Sequence, residues 1–253
     1  MSRIYNHEKL DVYQRALAFY AEMDSLIDDW DPRHSIRDHL LRAAESAVQQ
    51  LAHACAAPSH RQRNILDYSL GSVMECGACL DIAKVKSLAS PDYLAQEKDE
   101  LVQIFRMMWT LGKSWDSGSV REAKGTYEAS TKSRRKPDSF YHERLDVYKL
   151  PLAVMQWFVG QNPLESLSSR MFRKVDGTLT SVLLNIAEGN GRRSEDDKQR
   201  FMETAYESSI KAASFLDICL IKGVFTPEDV ERAKDKLHQV TSITASMAGI
   251  GKD

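Results

Sequence analysis

Apolar residues recur along this chain at intervals of three and four, the period of an amphipathic helix. In the first half Leu10, Tyr13, Leu17, Tyr20 and Ile27 are expected to share one face, and in the second half Phe172, Val175, Leu179, Val182 and Ile186 do the same. Punctuation divides the pattern further. Asp31-Pro32 stops the first helix, and a second is expected from about Ser35 to Ala54, with its later counterpart opening at Asn162-Pro163. Third helices are expected over about Ser59–Ser87 and Ser194–Lys222. Ser90-Pro91 and Thr226-Pro227 each set a capping hydroxyl before a proline at the first helical position, which starts a fourth helix in each half. With only 12 Gly and 7 Pro, the chain lacks the turns an all-β fold would need.

The two sets of four helices are copies. HEKLDVY (His7–Tyr13) returns as HERLDVY (His142–Tyr148), an offset of 135 in the numbering. LDIA (Leu80–Ala83) returns as LDIC (Leu216–Cys219), and SPDYLAQEKDELVQ (Ser90–Gln103) as TPEDVERAKDKLHQ (Thr226–Gln239), both now offset by 136. Short connections between amphipathic helices favour antiparallel up-down packing. The fold class is therefore all-α, two tandem antiparallel up-down four-helix bundles. The expected boundaries are 1–117 for the first bundle, 118–139 for a polar, basic linker and 140–253 for the second bundle.

Composition narrows the function classes. Up to Ser119 the chain carries 13 Lys+Arg against 17 Asp+Glu, and the remainder 21 against 19, far from the footprint of a dedicated nucleic-acid binder. The opening MSRIYNHEKLDVYQ has no apolar run of the signal-peptide kind, and no stretch reaches a membrane span, so a cytoplasmic protein without membrane contact is expected. Cys76 and Cys79 form a CxxC inside a helical pattern with no second ligand pair, which suits small core residues of a reduced protein.

One stretch, NIAEGNGRRSEDD (Asn185–Asp197), has no equivalent in the first copy, which reads QLAHACAAPSHRQ (Gln50–Gln62) at the same corner. Gly189 is expected to end the helix in a left-handed conformation, Asn190-Gly191 to turn, and Ser194 to cap the next helix ahead of Glu195, Asp196 and Asp197. A bundle that opens on LDVY and turns on NIAEGNGRRS resembles a bacterial four-helix-bundle family. It includes the proteins of ribosomal-RNA intervening sequences and the accessory variability determinant of diversity-generating retroelements. The resemblance implies a homo-oligomer, and it implies RNA and a reverse-transcriptase-like protein as partners of a basic surface. This chain is slightly acidic, and two fused bundles cannot tile a five-membered ring evenly.

If the corner acts, Arg192 and Arg193, with Lys198 and Arg200 nearby, suit phosphate contacts; a second basic cluster is Lys132, Arg134, Arg135 and Lys136 in the linker. Catalysis is not expected. No Glu-x-x-His supplies a di-metal site, and the nearest pattern, Asp235-x-x-His238, has Val102 where its duplicate would need histidine. No Gly-rich phosphate loop or nucleophile–base signature is present. The sequence thus reads as a non-catalytic RNA-binding or reverse-transcriptase-associated adaptor with no cofactor, metal or small-molecule substrate. A protein-only oligomeric scaffold is the alternative.

Overall fold

The computed structural model describes residues 6–116 and 139–250, all of whose regular structure is helical. The first bundle comprises α1 (Asp11–Ile27), α2 (Ile36–Ala56), α3 (Ser59–Val85) and α4 (Pro91–Asp116). The second comprises α5 (Asp146–Gly160), the single turn α6 (Pro163–Ser166), α7 (Ser169–Gly191), α8 (Glu195–Ile221) and α9 (Pro227–Ala248). Within each, consecutive long helices pack on one another and the fourth closes back on the first: α1 on α4, and α5 on α9. A 3-10 turn, Asn6–Lys9 or Tyr141–Arg144, leads into each first helix. The linker cluster Lys132, Arg134, Arg135 and Lys136 lies outside the described residues.

The start signals act as their chemistry requires. Thr226 accepts a hydrogen bond from the Asp229 amide (3.2 Å), and Ser90 one from Tyr93 (3.2 Å). Two features differ from expectation. Asn162-Pro163 opens only the single turn α6, with Asn162 in the left-handed region (φ 48°); α7 begins after an extended Leu167, where the Ser168 side chain accepts from the Met171 amide (3.3 Å). The apolar stripe of α1 is also rotated. The residues that reach the core are Val12, Ala16, Phe19, Met23 and Ile27, whereas Tyr13 and Tyr20 are half-buried and Leu17 is exposed.

The bundles share a core. α3 packs against α7 and α5 as well as α2 and α4, and the buried apolar residues of both bundles form one connected cluster. Almost every side of α3 is therefore buried, including the unbroken run Ser69–Met74. Cys76 and Cys79 belong to this interior, where burial pushes both thiols well above their ordinary pKa.

The two copies superimpose in hydrogen bonding. Ser72 Oγ donates to Ser46 Oγ at 2.9 Å, and Ser181 Oγ and Ser208 Oγ lie 2.9 Å apart. Ser46 and Ser181 are offset by 135, Ser72 and Ser208 by 136. The extra residue falls at the corner, where two residues (57–58) join α2 to α3 and three (192–194) join α7 to α8.

Candidate functional site at the junction of the bundles

The NIAEGNGRR stretch is helical almost to its end. α7 runs through Gly191, and neither Gly189 nor Gly191 has a positive φ; among the described residues only Ser87, Asn162, Gly223 and Gly249 do. The expected left-handed cap at Gly189 is therefore corrected, and a different physical need explains the glycines. A Cβ on Gly189 would lie 2.7 Å from Met202 Cε and 2.9 Å from Phe201 Cβ; one on Gly191 would lie 2.5 Å from Met74 Sδ of the first bundle. These glycines let α7 approach α8 and α3. Asn185 bonds back to the Ser181 carbonyl (2.7 Å), and Ser194 caps α8 by accepting from the Asp197 amide (3.3 Å).

Arg192 is the corner's anchor in the first bundle. Its side chain is only 7% exposed and pairs with Glu188. It donates through Nη1 to the Asp67 carbonyl (3.2 Å) and stacks its guanidinium over the rings of Tyr68 (4.7 Å) and Phe201 (5.0 Å). The same guanidinium covers Gly71, where a Cβ would come within 2.9 Å of it. Burial, with Glu75 nearby, raises the Glu188 carboxyl above its usual range despite the arginine. Arg192 thus holds the two copies together and does not present a free cation to solvent.

Arg193 and Arg200 are exposed, Lys198 is half-buried, and all three face carboxylates. Arg193 lies 3.4 Å from Asp116, Lys198 3.3 Å from Glu195, and Arg200 4.0 Å from Asp197. Arg192, Arg193, Ser194 and Asp197 line an open groove of about 560 Å3 together with Arg63, Asp67 and Asp116. Three arginines and three aspartates leave that groove electrically balanced, a poor collector of phosphate.

With this geometry in place, the family comparison has a structural counterpart. The family model for the 23S rRNA-intervening sequence protein matches residues 8–110 and again 162–246. The chain belongs to that family. The first matched segment takes in α1 to most of α4, and the second α6 to most of α9 with α5 outside it, consistent with a tandem duplication of that family. No curated protein and no solved structure matches the chain. The family description ties it to ribosomal RNA and names no reverse transcriptase. Among the described residues, no helix is long and apolar enough to cross a membrane.

Two polar networks at the junction, one buried and one half-buried, were not foreseen. Lys86, which caps the C-terminus of α3, pairs with Asp176 of α7, and both side chains are out of solvent. Asp176 also accepts from the Ser35 amide (2.9 Å) and hydroxyl (2.8 Å). Burial lowers the Lys86 pKa, and Asp176 opposes that shift. In the second network Asp81 pairs with Lys98 and accepts from the Tyr148 hydroxyl (3.0 Å), while Lys98 also reaches Glu143 (3.0 Å). His142 lies beside them with neither ring nitrogen hydrogen-bonded, and burial followed by the Lys98 charge lowers its pKa to about 3.

Asp81, His142 and Glu143 bring ligand atoms within 4.8 Å of one another, as a metal site would. The Lys98 ammonium already bridges the two carboxylates, however, so a cation would have to displace it. The repeats carried a signal for this network: Asp81 sits in LDIA and Lys98 in QEKDE, and both recur as Asp217 and Lys234. Asp176 carried none, because Leu41 stands at its place in the first copy.

One cationic patch was also missed. Arg170, Arg173 and Lys174 are exposed on the first two turns of α7, with no ion pair among the described residues. The start of α2 lies against this end: His34 meets the Phe172 ring edge-on (5.5 Å), and Arg33 donates to the Leu164 carbonyl (3.4 Å). Arg33 and Arg37 themselves pair with Asp31 (2.6 Å) and Asp28 (3.6 Å).

Proposed function

We propose that this chain is a non-catalytic adaptor that associates with RNA and works as a homo-oligomer. The carrying observation is the patch of Arg170, Arg173 and Lys174, three exposed cations that no carboxylate among the described residues neutralises. Adjacent turns of one helix hold them close enough to meet successive phosphates, and such contacts need no sequence reading. The family's link to ribosomal RNA supports the same reading. The linker residues Lys132, Arg134, Arg135 and Lys136, the exposed Arg193 and Arg200 and the half-buried Lys198 would add long-range attraction. A reverse-transcriptase-like partner is suggested by the sequence resemblance alone. The non-catalytic part is supported at the junction, where Lys98 fills the place that a catalytic cation would take.

The test is RNA binding by fluorescence anisotropy over a salt series. Affinity should fall with salt, by about 0.7 in the log–log slope for each phosphate contacted on a single strand. Replacing Arg170, Arg173 and Lys174 together by alanine should reduce that slope by roughly 2. No binding at low salt, or an unchanged slope in the triple variant, would overturn the RNA reading. The protein-only scaffold would then stand, favoured by the apolar residues Ile210 and Ile221 left in solvent on α8.

A further inference from the structure

The contact between the two bundles is heterologous: the α3 face of the first meets the α5–α7 face of the second. Such a contact uses one face of each copy and leaves the equivalent of the other face open. The second bundle's counterpart of the α3 face is the outside of α8. The first bundle's counterpart of the α5–α7 face is the outside of α1 and α2. We propose that these two open faces bind each other between molecules, so that α8 of one chain takes α1 and α2 of a second copy by repeating the internal junction.

Both sides retain their parts. On α8, the repeat converts Met74, Asp81 and Val85 into Ile210, Asp217 and Ile221. Ile210 is 43% and Ile221 86% exposed, an apolar stripe at helical spacing that the described residues leave uncovered. Asp217 pairs with Lys234 (2.6 Å) as Asp81 pairs with Lys98, yet among the described residues no tyrosine hydroxyl reaches it as one reaches Asp81. On the other side, the repeat converts Tyr148 and Leu152 into Tyr13 and Leu17. Tyr13 already stands edge-on to His7 at 4.7 Å, as Tyr148 stands to His142 at 4.6 Å. Its hydroxyl has no hydrogen-bond partner among the described residues. The apolar stripe of α1 that misses its own core is the stripe that this junction would bury.

Volume changes on the two open faces compensate. Inside the chain, large Arg192 covers Gly71; on the open faces their counterparts are small Ala57 and larger Glu207. Gly191 and Met74 become Ala56 and Ile210. Two features are not reproduced: the buried ion pair, since Lys86 becomes Lys222 and Asp176 becomes Leu41, and the contacts of Arg192 with Asp67 and Tyr68, since Arg192 becomes Ala57 and Tyr68 becomes Thr204. The external junction would therefore be the weaker of the two. A ring closed through it holds an even number of bundles.

The inference rests on the homo-oligomer part of the proposed function and is independent of RNA. The experiment is sedimentation velocity of the full chain, free of nucleic acid, over a concentration series. One variant, Ile210→Glu with Ile221→Glu, disables the α8 face; another, Tyr13→Ala with Leu17→Glu, disables the α1 face. Circular dichroism melting confirms that each is folded. The wild type should self-associate, each variant alone should be monomeric, and an equimolar mixture should form a one-to-one dimer, since each keeps the face the other lacks. If the wild type associates and either variant does so undiminished, this pairing of faces is wrong and the homo-oligomer reading survives. If the wild type is monomeric throughout, both fall.

Discussion

Helix α3 lies between α2, α4, α5 and α7, whereas α8, at the same place in the repeat, packs on α7 and α9 and leaves its other side in solvent. The residues record the difference. Gly71, Met74 and Gly77 line α3 where the second bundle approaches; Glu207, Ile210 and Ala213 stand in their places on α8. The family unit can be built around either helix, so the fold does not require the glycines. The contact does. This accounts for the NIAEGNGRR corner occurring once: Gly191 and Arg192 serve the junction, and a chain of two bundles has one internal junction to hold.

Breaking the comparison at its most buried point should have the largest effect. Asp176→Ala leaves the Lys86 ammonium buried without its partner, which typically costs about 3–5 kcal/mol. Pairing Lys86→Met with Asp176→Leu removes both charges and should restore most of that stability, Leu being the residue at the corresponding position 41. Lys222→Met, the same change at the exposed C-cap of α8, should stay within about 0.5 kcal/mol. Urea unfolding of the four proteins measures all of this. A small loss in Asp176→Ala would mean that water or another group reaches Lys86.

The second contrast is one of pH. His142 is held neutral in the folded chain, with a pKa of about 3, against about 6.5 in an unfolded one. Its contribution is complete above the unfolded value and is lost as pH falls, because the unfolded state takes up the proton first. Between pH 8 and pH 5 this one group should cost about 2 kcal/mol of stability. Lys98, Asp81 and Glu143 face the ring and set the charge around it. His142→Phe keeps the ring packed between Phe140 and Tyr148 and removes two buried nitrogens without partners. It should flatten the stability profile over that range and should not destabilise at pH 8. An unchanged slope would mean that other groups control it.

Periodicity and caps made the helices legible, and the repeats made the two bundles legible, because these signals are local or lie between identical segments. What the sequence hid was the packing of one copy on the other. Tyr13, Leu17 and Tyr20 have the right spacing for a core stripe, and nothing in one chain says that the core stripe is Val12, Ala16 and Phe19, roughly 100° around the helix. Arg192 looked like an exposed tip because a corner between helices usually is one; the first bundle covers it. Asp81 and Lys98 were visible as repeated letters but not as a pair, since they sit on successive helices with a connection between them.

The smallest expected effect tests whether close approach is what the glycines serve. A Cβ on Gly77 would fall 2.6 Å from Phe140 Cε2, so the ring must move. Overpacking of this kind costs roughly 1–3 kcal/mol. The helix itself gains about 1 kcal/mol when alanine replaces glycine. Gly77→Ala should therefore lose on the order of 1 kcal/mol, with the Phe140 environment altered in its side-chain NMR signals. The reverse change on α8, Ala213→Gly, meets no such neighbour from a second bundle and should cost about 1 kcal/mol from helix propensity alone. Alanine at 77 and glycine at 213 would then destabilise to a similar degree for opposite reasons, and only the first would disturb the other bundle. If Gly77→Ala stabilises the chain by the full helix gain, the ring has room, and the glycine at 77 owes nothing to the contact between copies.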